Sequence, residues 1–421
     1  MAFHRAAIVA VGSEMLTPTR VDTNSLYITE LLNGIGIDVI EKSIVGDDRG
    51  ELEAHFAHVL ERADVVVFTG GLGPTEDDLT REAVAGHLQL TMHEDQAIVD
   101  SIARRFASRG WPMPAVNRRQ AMVPEGAVVL DNPNGTAPGL WLEVRGKGIA
   151  LLPGPPREMR PMLERIMTER LAPRAEGFRV VRRVIKIAGR GESRVEELTQ
   201  PVYSTWRGGA YPIDTTILAM PGQVELHLST RGSDVQAMDR VLDAAVHQIE
   251  AVMENDIFTV GAKSLEEVTG DLLRARGWKI GLAESCTGGL ATSRLTDVAG
   301  SSDYVERSVV AYSNEAKIEL LGVAPALITA HGAVSEPVAE AMARGIRERA
   351  RVDVGVGITG IAGPGGGSAH KPIGTVCISV VVPGGDPITR TMRFPGNREH
   401  VKAFSAFTAI DMVRRAALRR D

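Results

Sequence analysis

Ser285 and Cys286 stand side by side in "KIGLAESCTGGLATSRL", where an apolar run gives way to paired glycines and then to a helical pattern. Both are nucleophile types: a serine hydroxyl needs a base to take its proton, and a thiol needs a lowered pKa. A strand leading through Ser285, Cys286 and Thr287 into Gly288 and Gly289 sets these groups at a helix start. Unpaired amides there carry partial positive charge and can serve an oxyanion. The same residue types are also ordinary caps and small core residues. Tyr312, at the end of a β-like run in "VVAYSNEAKIELLGV", reads singly as an interface aromatic. Lys317, in the first turns of the helix that follows, reads as a solvated charge, and Arg398, opening the closing helix in "RFPGNREHVK", as a surface residue. His331, in "ITAHGAVSEP", is the rival base. It precedes Ser335, which reads as the cap of "EPVAEAMARG", so a structural loop histidine is expected.

A second set of chemical groups lies in the first third of the chain. In "FTGGLGPTEDDLT" a strand-like "DVVVF" runs to Gly70 and Gly71, which lack a Cβ and let backbone approach a ligand. Thr75 adds a hydroxyl. Asp77 and Asp78 precede the helical "LTREAVAGHLQ", where an aspartate can cap, or where two carboxylates beside a glycine cradle can hold a divalent cation. Asp22, before "TNSLYITELL", is open to both readings, whereas Asp47 and Asp48, before "RGELEAHF", read as caps.

The elements that must position these groups alternate. "AAIVAVG", "TNSLYITELLNGIG", "DVIEKSIVG", "DDRGELEAHFAHVLERA" and "DVVVFTGG" switch between apolar runs and 3.6-residue spacing, which argues for parallel strands with crossover helices and ligands at strand carboxyl ends. From about Phe178 the pattern becomes "FRVVRRVIKIAG", "GESRVEELTQPV", "TTILAMPGQVELHLSTRG" and "SDVQAMDRVLDAAVHQIEAVM", a small α+β module. After "DIFTVGAK" the strand and helix alternation returns and ends in a helix from about Asn397 to Arg420. The expected fold class is α/β: two α/β domains with mainly parallel sheets, at 1–172 and 259–421, joined by an α+β module at 173–258.

A chain of 421 residues exceeds a single core, since cores stop growing at about 250 to 300 residues. A formal net charge of -6 leaves no electrostatic footprint for nucleic acid. The middle module loosely follows KH-like element order, but "IAGRGES" lacks the GxxG clamp, so nucleic acid is not an expected partner. With two cysteines, Cys286 and Cys377, neither a disulfide framework nor a zinc site is expected. No signal peptide or membrane span is read, and a cytoplasmic protein is expected.

Four ordered segments, "AVGSEMLTPTRVDTNSLYI", "TGGLGPTEDDLT", "NPNGTAPG" and "LPGPPREM", resemble the molybdopterin-binding-like domain at the N-terminus of the CinA family. The resemblance implies divalent-metal-dependent pyrophosphatase action on ADP-ribose. It implies a phosphate and substrate pocket at Gly70, Gly71, Thr75, Gly135, Thr136 and Gly154, with Asp78, Asp22 and Glu158 as candidate ligands of Mg, Mn or Co. "ESCTGG", "YSNEAK", "GITGIAGP" and "FPGNR" together resemble the PncC-type amidohydrolase domain of the same family. That resemblance implies Ser285 as nucleophile with Lys317 and Tyr312 assisting. Nicotinamide mononucleotide is the implied substrate, and no cofactor is implied in this domain. Cys286, Thr287, Gly288, Gly289, Thr359, Gly360 and Arg398 are the implied substrate-binding positions, and Arg398 is expected to help depress the pKa of Lys317. A homodimer is implied as well. The family's name also raises a rival reading, an interaction protein of competence or DNA repair that does not require hydrolysis. For the first domain, the rival is binding of molybdopterin or another cofactor-like ligand without cleavage.

Overall fold

A computed structural model of the protein describes residues 2–175 and 177–419, so the last residues of the expected closing helix lie outside the described residues. The chain divides into two compact units, Met1–Val181 with Thr230–Asp239, and Arg182–Ser229 with Arg240–Asp421. The expected middle segment contributes to both. Among the described residues no helix is long and apolar enough to cross a membrane.

In the first unit a six-stranded sheet runs in the order Asp38–Val45, Arg5–Val11, Val65–Thr69, Lys147–Leu152, Gly139–Val144, Val128–Leu130. The first four strands are mutually parallel. Val65–Thr69, "VVVFT", is buried at every position, the pattern of a central parallel strand covered on both faces. One face packs around Phe56, Phe68 and Leu151, the other around Ile8, Trp141 and Leu163. The sheet then finishes antiparallel. Only Arg145 and Gly146 separate Gly139–Val144 from Lys147–Leu152, and both have positive φ (52° and 79°), which is a tight hairpin of the primed type. A parallel pairing needs a crossover of a dozen or more residues, so so short a link leaves no alternative.

A four-stranded sheet, in the order Asp214–Met220, Gln223–Gly232, Arg179–Ala188, Ile257–Val260, falls mostly in the second unit and precedes a five-stranded one. The latter runs Val305–Val310, Ile280–Glu284, Val354–Gly360, Thr375–Val381, Ile388–Arg393. Its first three strands are parallel and its last two antiparallel, joined through the short "VPGGDP" turn. Helix starts follow local chemistry: Ser264 and Glu267 form a reciprocal capping box on Leu265–Arg276, and Asn397 accepts from the His400 amide at 3.0 Å to start Arg398–Leu418.

Candidate active site

The register of the five-stranded sheet assembles the C-terminal site. Ile280–Glu284 lies between Val305–Val310 and Val354–Gly360, with Glu284 opposite Val310 on one side and Ile358 on the other. The ladder continues one step past the strand, the Ser285 amide donating to Ile358 O at 2.9 Å and the Ala311 amide to Glu284 O at 2.9 Å. Ser285, Tyr312 and Thr359 therefore emerge at neighbouring strand ends. Helix Asn314–Leu321, capped by Ser313 through the Ala316 amide at 3.0 Å, carries Lys317 back over them.

Lys317 is not the solvated charge its helix position indicates. Its residue is 1% exposed, and its Nζ lies 3.1 Å from Ser285 Oγ, 3.0 Å from Ala311 O and 3.1 Å from Tyr312 O. Burial holds its pKa below the ordinary 10.5. In its neutral form the amine has two N–H bonds for these carbonyls and a lone pair able to accept from the serine hydroxyl. Arg398 does not supply this depression, contrary to expectation. Its guanidinium donates to Gly363 O at 2.8 Å and to the Tyr312 hydroxyl at 3.1 Å. Tyr312 is 61% exposed at the cavity mouth.

Cys286 is buried, and burial pushes its thiol up to about 12, which disfavours the thiolate that attack would need. Gly360 lies against its sulfur. His331 ends helix Pro325–His331, is exposed, and does not line the cavity. Ser335 holds the N-cap position of Glu336–Ala350 but makes no capping bond, its hydroxyl donating to Gly332 O at 2.8 Å.

A cavity of about 240 Å³ is lined by Ser285, Cys286, Tyr312, Lys317, Thr359, Gly360 and Arg398. Thr359 donates to Ala333 O at 2.9 Å. Thr287, Gly288 and Gly289 do not line this cavity, and they correct the expectation in one respect: they build the turn. Gly288 and Gly289 take left-handed φ values of 64° and 93°, and Thr287 is buried. The amides of the short helix Leu290–Thr296 are not free for an oxyanion. Glu284, fully buried, accepts from the amides of Gly289 (3.0 Å), Ala291 (3.1 Å) and Thr292 (2.9 Å) and from the Thr292 hydroxyl (2.7 Å). Among the described residues the amides of Cys286 and Thr287 donate to no backbone carbonyl and lie against the Cys286 sulfur instead. Glu284 was missed in the sequence because an acid closing an apolar run signals only a strand end.

In the first unit, a cavity of about 840 Å³ opens at the carboxyl ends of Arg5–Val11, Val65–Thr69 and Lys147–Leu152. Gly70, Gly71, Thr75, Thr136, Gly154, Asp22, Asp78 and Glu158 line it. Gly135 does not; it borders a neighbouring cavity of about 360 Å³. A Cβ on Gly135 would collide with the Glu158 carboxylate, so its missing side chain makes room for that acid. Gly70 and Gly71 have φ of 101° and 64°, with Val11 O and Thr80 Oγ1 where a Cβ would sit.

The aspartates do not cap Thr80–Leu88, whose N-cap is Leu79. Asp78 instead clamps the loop, accepting from the Gly73 amide at 2.7 Å, the Thr75 amide at 2.9 Å and the Thr75 hydroxyl. Asp77 stays exposed. Asp22 accepts from the amide and hydroxyl of Ser25 at the start of Asn24–Gly34, and Glu158 accepts from Asn132 Nδ2 at 2.8 Å. Asp48 caps Arg49–Arg62 as expected, but Asp47 does not cap. It accepts from the Ser13 amide at 2.6 Å and lines the cavity. Among the described residues no group of three or more His, Cys, Asp or Glu is arranged to hold a metal by itself. The donor set suits a hydrated cation held by one or two carboxylates together with a ligand's phosphates, and not a cage made by protein alone.

Two α/β sheets, each with a cavity at the carboxyl ends of its parallel strands and one holding a buried serine–lysine pair, define a two-site α/β protein. Two family profiles match it: "Probable molybdopterin binding domain" over residues 7–173 and "CinA C-terminal domain" over 262–417. A CinA-like protein of Koribacter versatilis (strain Ellin345) is 44% identical over 97% of this chain and 99% of its own. One from Solibacter usitatus (strain Ellin6076) is 42% identical over 97% of each. The chain belongs to the CinA family. Among solved structures, the competence/damage inducible protein CihA from Agrobacterium tumefaciens is 38% identical, covers 38% of this chain and 99% of its own, and has a TM-score of 0.36.

Proposed function

We propose that the second unit hydrolyses the carboxamide of nicotinamide mononucleotide to the carboxylate and ammonia, with Ser285 as nucleophile and Lys317 as general base. The observation that carries this reading is the 3.1 Å approach of Lys317 Nζ to Ser285 Oγ, with the amine desolvated. Lys317 takes the hydroxyl proton as Oγ attacks the carboxamide carbon, and the backbone amides that follow Ser285 in the turn receive the oxyanion. The Lys317 ammonium then returns the proton to the departing nitrogen. Water, deprotonated by the regenerated amine, cleaves the acyl-enzyme. Tyr312, whose oxygen accepts from Arg398, keeps its own proton free for the substrate or the leaving ammonia. The cavity takes the nicotinamide end, and the unused donors of Arg398, at the N-terminus of a 21-residue helix, suit a phosphate at the mouth.

A second activity, hydrolysis of the pyrophosphate of ADP-ribose, is proposed for the first unit. It is favoured by the larger cavity at the strand ends, with carboxylates beside a glycine cradle. A divalent cation bound there supplies charge neutralisation of the phosphates and a more acidic water. The chain's own part is to fix the cradle, through Asp78, and to offer Asp22 and Glu158 towards the cation. In both roles the protein acts on small nucleotides, and a homodimer is part of the proposal. Incubating the protein separately with nicotinamide mononucleotide and with ADP-ribose plus Mg, Mn or Co, and reading ammonia and AMP, tests both. Ammonia and AMP both absent, with a protein partner co-purifying, would favour the interaction-protein reading.

A further inference from the structure

A cavity of about 660 Å³ in the second unit shares no lining residue with the Ser285 cavity. One wall is the edge strand Ile388–Arg393, whose Ile388, Arg390 and Met392 face it in the two-residue period of a single strand face. The floor is the helix Arg398–Leu418, through Phe404, Thr408, Asp411 and Met412. The opposite wall is the hairpin joining Asp214–Met220 to Gln223–Gly232. That hairpin approaches the helix closely because Gly222, at φ 88°, has no side chain; a Cβ there would meet the Phe407 ring at 2.6 Å. The volume is in the usual range for a small-molecule site, about 300 to 1,000 Å³.

The lining is flat and apolar in one part and cationic in another. Met220, Met392 and Met412 line it together with Phe394 and Phe404, whose rings lie parallel at 10° with centroids 5.8 Å apart. Its buried acids are already matched. Asp411 accepts from Arg414 at 2.8 Å and Arg415 at 2.6 Å, and Asp256 from Arg190 at 2.6 Å and Arg415 at 2.9 Å. Glu192 stands in the first turn of Glu192–Tyr203, where the helix's free amides balance it. Arg390 and Arg419 line the same cavity and have no acidic partner among the described residues. Guanidinium groups without a carboxylate, beside polarisable sulfur and aromatic surface, recognise a planar apolar body that carries an anionic group.

We propose that this cavity is a second small-molecule site, for an aromatic organic anion such as a ring bearing a carboxylate, sulfonate or phosphate. The site is independent of the hydrolytic readings above, and its test does not use either activity. The full chain, labelled with ¹³C at methionine methyls, is titrated with 1-anilinonaphthalene-8-sulfonate. The expected result is one saturable site whose occupancy shifts the methyl signals of Met220, Met392 and Met412 and leaves those of Met162 and Met342, buried elsewhere, in place. Arg390→Gln, an exposed position, is expected to weaken binding about tenfold, and Thr408→Phe to abolish it by filling the cavity. N-phenyl-1-naphthylamine, the same rings without the sulfonate, is expected to bind at least about tenfold more weakly. Saturation with the three methyl signals unmoved, affinity unchanged by Arg390→Gln, or equal affinity for the uncharged analogue would each overturn the proposal. If Thr408→Phe does not fold, the Arg390→Gln and analogue arms still decide it.

Discussion

Lys317 Nζ and Ser285 Oγ lie 3.1 Å apart although 32 positions separate them in the chain. The pair is made by sheet register: Ser285 follows one strand, Tyr312 follows its parallel neighbour, and the helix after Tyr312 folds the lysine back between them. Ala311, Tyr312 and Ser313 turn their carbonyls towards the amine, so the same short segment that delivers Lys317 also holds it.

Ser285→Ala is expected to lower ammonia release from nicotinamide mononucleotide by at least about a thousandfold, since it removes the group that forms the acyl-enzyme. Cys286→Ala should keep most of the activity, because the neutral buried thiol contributes packing and not attack. The two variants, compared in one ammonia assay, separate the neighbours; loss with Cys286→Ala alone would refute the assignment.

The amidase rate is expected to rise with pH as Lys317 deprotonates, with its midpoint below 10.5 because burial disfavours the ammonium. The same group links pH to stability. In the unfolded chain it binds a proton up to its ordinary 10.5, whereas in the fold it releases it earlier, so the unfolded state binds more protons in between. Its contribution therefore makes the fold more stable as pH rises through that window, and Lys317→Met should remove this slope in urea titrations. The same substitution should cut kcat by at least about a hundredfold.

Glu284→Gln replaces four acceptor bonds by an amide with one oxygen and an NH2 that faces N–H donors. Charge-assisted bonds to a buried carboxylate are worth about 1.5 to 3 kcal/mol each, and the expected loss is about 2 to 4 kcal/mol. Thermal unfolding measures the loss, and kcat falls with it because Ser285 and the amides that follow it belong to the same turn.

Arg398→Ala is expected to raise KM for the nucleotide more than it lowers kcat, by about tenfold or more, since one charge-assisted contact to phosphate is removed. Tested with nicotinamide alone, which has no phosphate, the variant and the parent should differ little. Equal losses on both would place Arg398 in the chemical step.

In the first unit, Asp78→Asn puts an NH2 against the amides of Gly73 and Thr75 that the carboxylate now accepts from. AMP release from ADP-ribose should fall at least about a hundredfold while ammonia release in the same preparation is unchanged. Gly135→Ala should act similarly by displacing Glu158.

Much of the fold was readable because periodicity is local. The all-buried "VVVFT" and the amphipathic "GELEAHFAHVLER" name their elements without any partner. The antiparallel ends of both sheets were less visible: the Arg145–Gly146 turn requires a positive φ at an arginine, a conformation that residue type does not announce. The helix-capping reading of Asp47 failed for a related reason, and Asp78, open to capping or to a cation, holds loop amides, since an aspartate near a helix start accepts whichever amide the loop presents.

The sequence by itself determined the alternation of strands and helices, the glycine turns that follow them, and the short set of nucleophiles and bases. The tertiary structure decided what those side chains are. Lys317 became a buried, desolvated amine, Cys286 a buried thiol, and Glu284 the anchor of the turn, because burial and partner distance are set by which strands lie side by side. A residue's ionisation depends on the water and dipoles around it, and those come from segments tens of positions away.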